Sequence, residues 1–494
     1  MAEVEGMQKY SPSRERAEEL LGEFDTVPVT REILSDVRTP MEVLSALMAE
    51  DDHCFILESI EDRQRWGRYT IIGFEPELDF ACMDGIATID EGGEIRSFVT
   101  DRPSDVIRGI LSEHRSPVME DAPPFTGGLV GYFSYDYIKY AEPSLRLSAY
   151  DDEGFKDADL MLFDKVVVFD NFRQTISVIV HCNARRSYDG ACEEIDRIIR
   201  LIRDGGRSGR APAALRSGFR AMHSEERFCG MVERAKERIR EGDIFQVVLS
   251  NRLEADFDGS LLDVYRVLRT TNPSPYMFYL SGTDIEVAGA SPETLVKLRG
   301  GVLHTFPLAG TRPRGSTYEE DRALEAELLA DEKERAEHNM LVDLGRNDLG
   351  KVSAIGSVEV ERYMEVERFS HVMHIGSTVR GRMAEGRDAM DAIEAVLPAG
   401  TLSGAPKLAA CRIIDGLEDC KRGIYGGAIG YIDLAGDMDV CIGIRIAYRK
   451  NGKVFVRSGA GIVADSVPSK EYRECINKAR AVVEAVEKAS EGLE

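Results

Sequence analysis

Two pairs of glutamates carry the clearest chemical potential in this sequence. Glu334 and Glu337 lie three apart in KERAEHNMLVDLGRNDLG, and Glu471 and Glu474 lie three apart in KEYRECINKA. Residues three apart share one face of a helix. Two such helices facing each other offer several carboxylate oxygens to one hard cation, and Mg²⁺ is the cation that takes few carboxylates and keeps waters. Spacing alone fits equally well with solvated helix faces or ion pairs to Lys333, Arg335 and Lys470. Four Gly-rich loops cluster in the same half: PLAGTRPRG (307–315), PAGTLSGAPK (398–407), RGIYGGAIGY (422–431) and SGAGIVADS (458–466). Glycine lets backbone N–H groups approach a ligand closely, and such loops cradle carboxylates as well as phosphates. None fits the P-loop pattern, so ATP chemistry is not indicated. Arg445 and Lys478 are candidate carboxylate ligands, one a planar fork and the other a mobile point charge. Arg445 falls in the apolar run DVCIGIRIAY, which reads as a buried strand where a charge needs a partner. Lys478 follows Glu474 by four residues, the spacing of an ordinary helix ion pair. Of eight histidines, His338, His371 and His374 sit in motif-like segments; the others read as packing or surface residues.

These groups need elements to hold them. Phe228, Met231, Val232, Ala235 and Ile239 recur at helical spacing, with Gly242 as a C-terminal stop. Further helices are expected over 319–344, 388–397 and 470–488. Strand-like runs are Phe55–Leu57, Lys165–Phe169, Thr175–Val180 and Ile244–Ser250. The stretch 204–223 is rich in Gly, Arg and Ala and reads as a linker or long surface loop. It separates an N-terminal part, 1–203, from a C-terminal part, 224–494. The fold class is mixed α/β.

Composition narrows the function. A chain of 494 residues with 43% hydrophobic and 30% charged residues is soluble, globular and too long for one simple core. No apolar run reaches the length of a membrane helix and the N-terminus lacks a secretory signal, so a cytoplasmic protein with no membrane role is expected. Nine cysteines without a CxxC argue against a zinc site or a disulfide framework. A net charge of −25 argues against a nucleic-acid partner. It also requires that any pocket for an anion carry local positive charge.

Many segments stand together in a familiar order: FILES (55–59), RWGRYTIIG (65–73), FTGGLVGYFSYD (125–136), GDIFQVVLS (242–250), NPSPYMFYL (272–280), SPETLVK (291–297), PLAGTRPRG, DEKERAEHNMLVDLGRNDLG (331–350), FSHVMH (369–374), PAGTLSGAPK, RGIYGGAIGYID and GAGIVADSVPSKEY. In these the chain resembles the chorismate-utilising enzyme family, and within it the anthranilate synthase large subunits, over nearly its whole length. The resemblance implies a compound sandwich of antiparallel sheets framed by helices, with the site in the C-terminal part. It implies Mg²⁺ held by Glu337 and Glu474 with Glu334 and Glu471 close by. Arg445, Lys478, Tyr425 and the backbone of Gly459, Ala460 and Gly461 would hold the substrate carboxylates, and Thr401, Gly310 and Thr311 would line the pocket. His371 would be the general acid that lets the ring hydroxyl leave, with Glu293 a candidate base.

Two positions distinguish sister activities within that resemblance. Relatives that add water carry a lysine base where Gln246 stands, and aminodeoxychorismate synthases carry a nucleophilic lysine where Ala309 stands. Neither residue here can do that work, which points to ammonia adding directly to the ring and anthranilate as product. An aminodeoxyisochorismate synthase that stops before pyruvate loss, and a non-catalytic chorismate or tryptophan sensor, are the alternatives. Glu58, Ser59, Pro275, Tyr276 and Met277 resemble the family's tryptophan-feedback site, although N-P and S-P dipeptides also mark ordinary turns. No cysteine elbow with a His–Glu pair is present, so ammonia is expected from a separate glutaminase subunit.

Overall fold

The computed structural model describes residues 10–59, 67–206, 208–368 and 372–493. Two large sheets, every neighbouring pair antiparallel, stack face to face. The first runs, in spatial order, Thr26–Leu34, Thr175–Asn183, Lys165–Asp170, Tyr69–Phe74, Cys54–Glu58, Tyr276–Ser281, Glu286–Ser291, Ile446–Lys450, Lys453–Ile462, Gln246–Asp258 and Ala214–Leu215. The second runs Leu308–Pro313, Val372–Arg382, Val302–Thr305, Thr294–Arg299, Met438–Ile442, Ala428–Asp433, Gly128–Phe133, Ala158–Phe163, Leu78–Met83, Ile86–Glu91 and Glu94–Val99. Aromatic and β-branched residues from both, among them Phe55, Phe278 and Ile446 from the first and Val130, Phe163 and Ile429 from the second, form the core between them. The helices Pro40–Leu47, Tyr188–Asp204, Leu262–Thr271 and Pro468–Glu491 cover the outer face of the first sheet. Pro103–Ser112, Glu332–Gly350 and Ala389–Val396 cover the second. The expected sandwich of antiparallel sheets framed by helices is the observed architecture.

Each sheet is built from both sides of 204–223. Cys54–Glu58 pairs with Tyr276–Ser281 in the first sheet, and Gly128–Phe133 pairs with Ala428–Asp433 in the second. The 204–223 stretch itself contributes two short strands, Ala214–Leu215 and Arg220–Ala221, which pair with Gln246–Asp258.

The helix expected over 319–344 is two helices, Tyr318–Ala330 and Glu332–Gly350. The break is at Asp331, whose backbone is extended and whose carboxylate accepts from the N–H groups of Lys333 and Glu334. A short acid at that point caps a new helix more favourably than it continues the old one. The helix read from Phe228 to Ile239 spans Glu225–Glu241, capped by Ser224 and ended by Gly242 at φ 83°. The last long helix starts at Pro468, whose fixed φ suits a first helical position.

Candidate active site

Two neighbouring strands change sheets side by side, and the change of sheet places the chemistry. Glu286–Ser291 belongs to the first sheet and Thr294–Arg299 to the second; Glu293 sits in the gap between them. Met438–Ile442 belongs to the second sheet and Ile446–Lys450 to the first; Arg445 sits in that gap. The crossings are laced together. Ile442 N–H donates to the Glu293 carbonyl at 2.9 Å, Ala290 N–H donates to the Arg445 carbonyl at 3.1 Å, and Ser291 Oγ donates to the Ile442 carbonyl at 2.7 Å. The register also slips between Thr294 and Val296, directly after Glu293. Bulges of this kind re-aim side chains beside functional sites.

Arg445 therefore does not lie in a buried strand, as its apolar neighbours suggest. It occupies the left-handed region, φ 52°, where the strand breaks, and its side chain is exposed. No side-chain hydrogen bond or ion pair holds its guanidinium among the described residues. It opens into a cleft lined by Lys470, Arg473, Glu474, Asn477 and Lys478. Protein crowding within that cleft lowers its pKa. An unpaired guanidinium in a partly dehydrated cleft is poised for an anion.

Glu293 is partly buried, and Thr401 Oγ1 donates to its Oε1 at 3.1 Å. Burial pushes its pKa up to about 7, against the smaller opposing effects of the Thr401 hydrogen bond and the Lys478 charge. Glu293 and Thr401 line one pocket with Thr305, Pro307, Gly400 and Ile442. Lys478 forms the expected i, i+4 pair with Glu474, at 2.7 Å, and both side chains are half-exposed.

Gly310, at φ 63°, lies so close to the helix Glu332–Gly350 that a Cβ there would stand 3.1 Å from Glu334 Oε2. His374 Nδ1 is 2.8 Å from the Gly310 carbonyl and 3.2 Å from Thr311 Oγ1. A carbonyl only accepts, so Nδ1 carries the proton. Burial lowers the His374 pKa, and the nearby Arg445 charge adds to the effect. The glycine strand is equally tight: a Cβ on Gly459 would stand 2.8 Å from Tyr425 Oη, and one on Gly461 would stand 2.7 Å from Gln246 Nε2. Tyr425 is buried. The methyl of Ala460 packs into the core under the helices Glu225–Glu241 and Lys407–Glu418, so only its backbone is left for a ligand.

The four glutamates come from two helices, as their spacing allows. Burial, then the like charge of Glu334, raises the Glu337 pKa, and Glu474 adds to it. Burial, with Glu474, raises that of Glu471. A carboxylate whose pKa is raised by neighbouring carboxylates favours a shared cation. Among the described residues, however, no group of three or more such side chains is gathered closely enough to hold a metal ion. His371 lies outside the described residues.

The two halves of the expected tryptophan site are neighbours: Met277 pairs directly with Glu58 across adjoining strands. The Glu58 carboxylate is already engaged, accepting from Tyr265 Oη at 2.5 Å and from Arg269. Met277 lies in the core under the helices, whereas Tyr276 packs against the core between the sheets. Pro275 is half-buried, and Ser59 follows directly on Glu58.

The sequence reading did not find the buried cluster behind the site. The Glu418 carboxylate accepts from Ser250 N–H at 2.6 Å, from Arg422 Nε at 2.9 Å and from Arg457 Nη2 at 2.8 Å. Arg422 also donates to the carbonyls of Leu402, beside Thr401, and of Val248. Glu418, Arg422 and Arg457 are almost completely buried. The only sequence signals are the i, i+4 spacing of Glu418 and Arg422 and one arginine in the apolar run VFVRSGAG.

Residues 52–484 match a family model described as chorismate binding enzyme. Anthranilate synthase component 1 of Acetivibrio thermocellus is 44% identical over 493 residues, covering 98% of this chain and 99% of the relative. That of Aquifex aeolicus (strain VF5) is 44% identical over 492 residues, with the same coverage. The crystal structure of anthranilate synthase component I from Streptococcus pneumoniae TIGR4 superposes with a TM-score of 0.76 at 39% identity, covering 91% of this chain and 99% of that one. The menaquinone-specific isochorismate synthase of Escherichia coli shares the fold, with a TM-score of 0.70 at 19% identity. Among the described residues no helix is long and apolar enough to cross a membrane. Family match, near-complete alignment and shared fold agree that the chain belongs to the chorismate-binding enzyme family.

Proposed function

We propose that this chain is the chorismate-converting subunit of an anthranilate synthase, working in the cytoplasm with a glutaminase partner that supplies ammonia. The observation that carries the reading is the pair of crossing strands. They carry Glu293, a carboxyl group with a near-neutral pKa that feels the charge of Lys478 on the helix Pro468–Glu491, and Arg445, which shares a cleft with that lysine. That is the set a dicarboxylate with a poor leaving group requires.

Ammonia attacks C2 of the ring, the double bonds shift, and the C4 hydroxyl departs. Hydroxide leaves poorly, so it must take a proton as it goes. An ordinary carboxyl group is ionised at neutral pH, whereas one held at about 7 by burial is still protonated in about half of the molecules. This places the donor role on Glu293, with Thr401 fixing its carboxyl group, in preference to His371. The products of this step are an amino-substituted intermediate and water. Loss of the C2 proton, for which His371 is the proposed acceptor, then breaks the C3–O bond. Enolpyruvate departs, takes up a proton and becomes pyruvate, and the ring becomes aromatic. Arg445 and Lys478, with Tyr425, Gly310, Thr311 and the Gly459–Gly461 backbone, bind and orient the two carboxylates. Glu337 and Glu474, with Glu334 and Glu471 beside them, are the residues that would hold Mg²⁺, and the raised pKa values of Glu337 and Glu471 fit a cation there. When bound, the ion would orient the ring carboxylate and withdraw electron density. Tryptophan bound against Glu58, Ser59, Pro275, Tyr276 and Met277 would inhibit by feedback.

The deciding experiment is product analysis with chorismate, Mg²⁺ and ammonium chloride at alkaline pH. Fluorescent anthranilate with equimolar pyruvate is the expected result. An amino-chorismate without pyruvate would reassign the chain to a synthase lacking the elimination step. No turnover would leave a non-catalytic sensor.

A further inference from the structure

One side chain touches both crossing strands. Tyr276 begins the strand next to Glu286–Ser291, faces the core between the sheets, and extends its hydroxyl to the seam. Its Oη donates to Asp439 Oδ1 at 2.8 Å and lies 2.9 Å from Thr294 Oγ1. A tyrosine has one proton to give, and the carboxylate takes it, so Thr294 is the donor to Tyr276. Thr294 directly follows Glu293. Asp439 lies on the strand that leads into the Arg445 crossing, and Lys297 anchors it from the other side at 2.6 Å. The bulge between Thr294 and Val296 lies on this same pairing, where the backbone ladder is interrupted. The Thr294–Tyr276–Asp439 relay therefore fixes the relative position of the two strands where backbone pairing alone does so least.

We infer that Tyr276 is a positioning residue for the reaction, a clamp that holds the Glu293 crossing against the Arg445 crossing. It touches no reacting atom and acts through Thr294 and Asp439. The inference rests on the reading of Glu293 and Arg445 given above. The Tyr276 ring belongs to the segment expected to contact tryptophan, but its hydroxyl is committed to the seam.

The test is Tyr276→Phe in the full chain, which keeps the ring and removes the clamp. Rates are measured with chorismate, Mg²⁺ and ammonium chloride across a pH series. The expected result is a kcat lowered by about three- to tenfold with KM for chorismate within about twofold, because misplacement of a proton donor costs turnover more than binding. The limb of the pH profile owed to Glu293 should also move down, as a loosened seam admits water. Thr294→Val removes the same relay from its other end and should reproduce both effects. The double variant should be no worse than either single one, as for residues of one network. If Tyr276→Phe folds poorly, Thr294→Val decides alone. An active parent whose variants keep its kcat and pH profile would overturn the clamp and leave the functional reading intact. A parent that makes no anthranilate would overturn both.

Discussion

Replacing Glu293 by glutamine should separate activity from stability in opposite directions. The carboxyl group has an ordinary value of 4.5 and is held at about 7, chiefly by burial. One pKa unit corresponds to about 1.4 kcal/mol, so the ionised form costs the folded protein up to about 3 kcal/mol. The sign follows from proton linkage. Below 4.5 the group is protonated in both the folded and unfolded states and costs nothing. Between 4.5 and about 7 the folded state holds the proton and the unfolded state does not, so stability falls as pH rises. Above about 7 the full cost is present. Glu293→Gln removes it, so the variant should match the parent at about pH 4 and exceed it at about pH 8.5 by up to ~3 kcal/mol, read from urea unfolding. Turnover should fall by about 10²–10⁴-fold, the usual worth of a general acid and equal to about 3–5 kcal/mol of barrier. In the parent, the amination rate per free ammonia should fall as pH rises through about 7, as the donor loses its proton. Glu293→Gln should flatten that limb. A variant that turns over like the parent, or gains no stability at alkaline pH, would refute the assignment.

Three further outcomes are expected. Mg²⁺ should bind the parent in calorimetry, and Glu337→Gln should weaken binding by at least about tenfold; equal isotherms would remove Glu337 from the metal set. Glu418→Gln should destabilise the protein by about 3–5 kcal/mol in urea unfolding, because it leaves Arg422 and Arg457 buried beside a neutral group. Those two arginines hold the Glu418 pKa below its usual value despite burial, so the stability this carboxylate contributes should be present above the ordinary carboxylate range and lost as pH falls through the lowered value. Ser59→Arg should raise the tryptophan concentration needed for half-inhibition by about tenfold or more, a loss of about 1.4 kcal/mol of binding. An unchanged inhibition curve would place the regulator elsewhere.

The sequence by itself determined what depends on neighbours along the chain. Phe228 to Ile239 repeat every three to four residues, and that period makes the helix Glu225–Glu241 whatever lies around it. The i, i+3 spacing placed Glu334 with Glu337, and Glu471 with Glu474, on common faces before any fold was known. The glycines of the four loops marked where close approach is needed, and Gly310 and Gly459 meet it. The motif order, more specific than any periodicity, carried the sandwich of sheets. Other features had no local signal. The acid at 331 divided an apparently continuous helix because capping and continuation compete for the same backbone groups. Arg445 looked buried because its neighbours are apolar on both sides, but the strand breaks there to change sheets. That change depends on pairing between residues about as distant as Ser291 and Ile442, which are 151 apart in sequence. Contacts between residues far apart in the chain likewise decided the pKa of Glu293, the hydrogen bonds of Tyr276 and the burial of Glu418. Burial, desolvation and sheet register are properties of surfaces that meet only after folding, so tertiary structure alone could decide them.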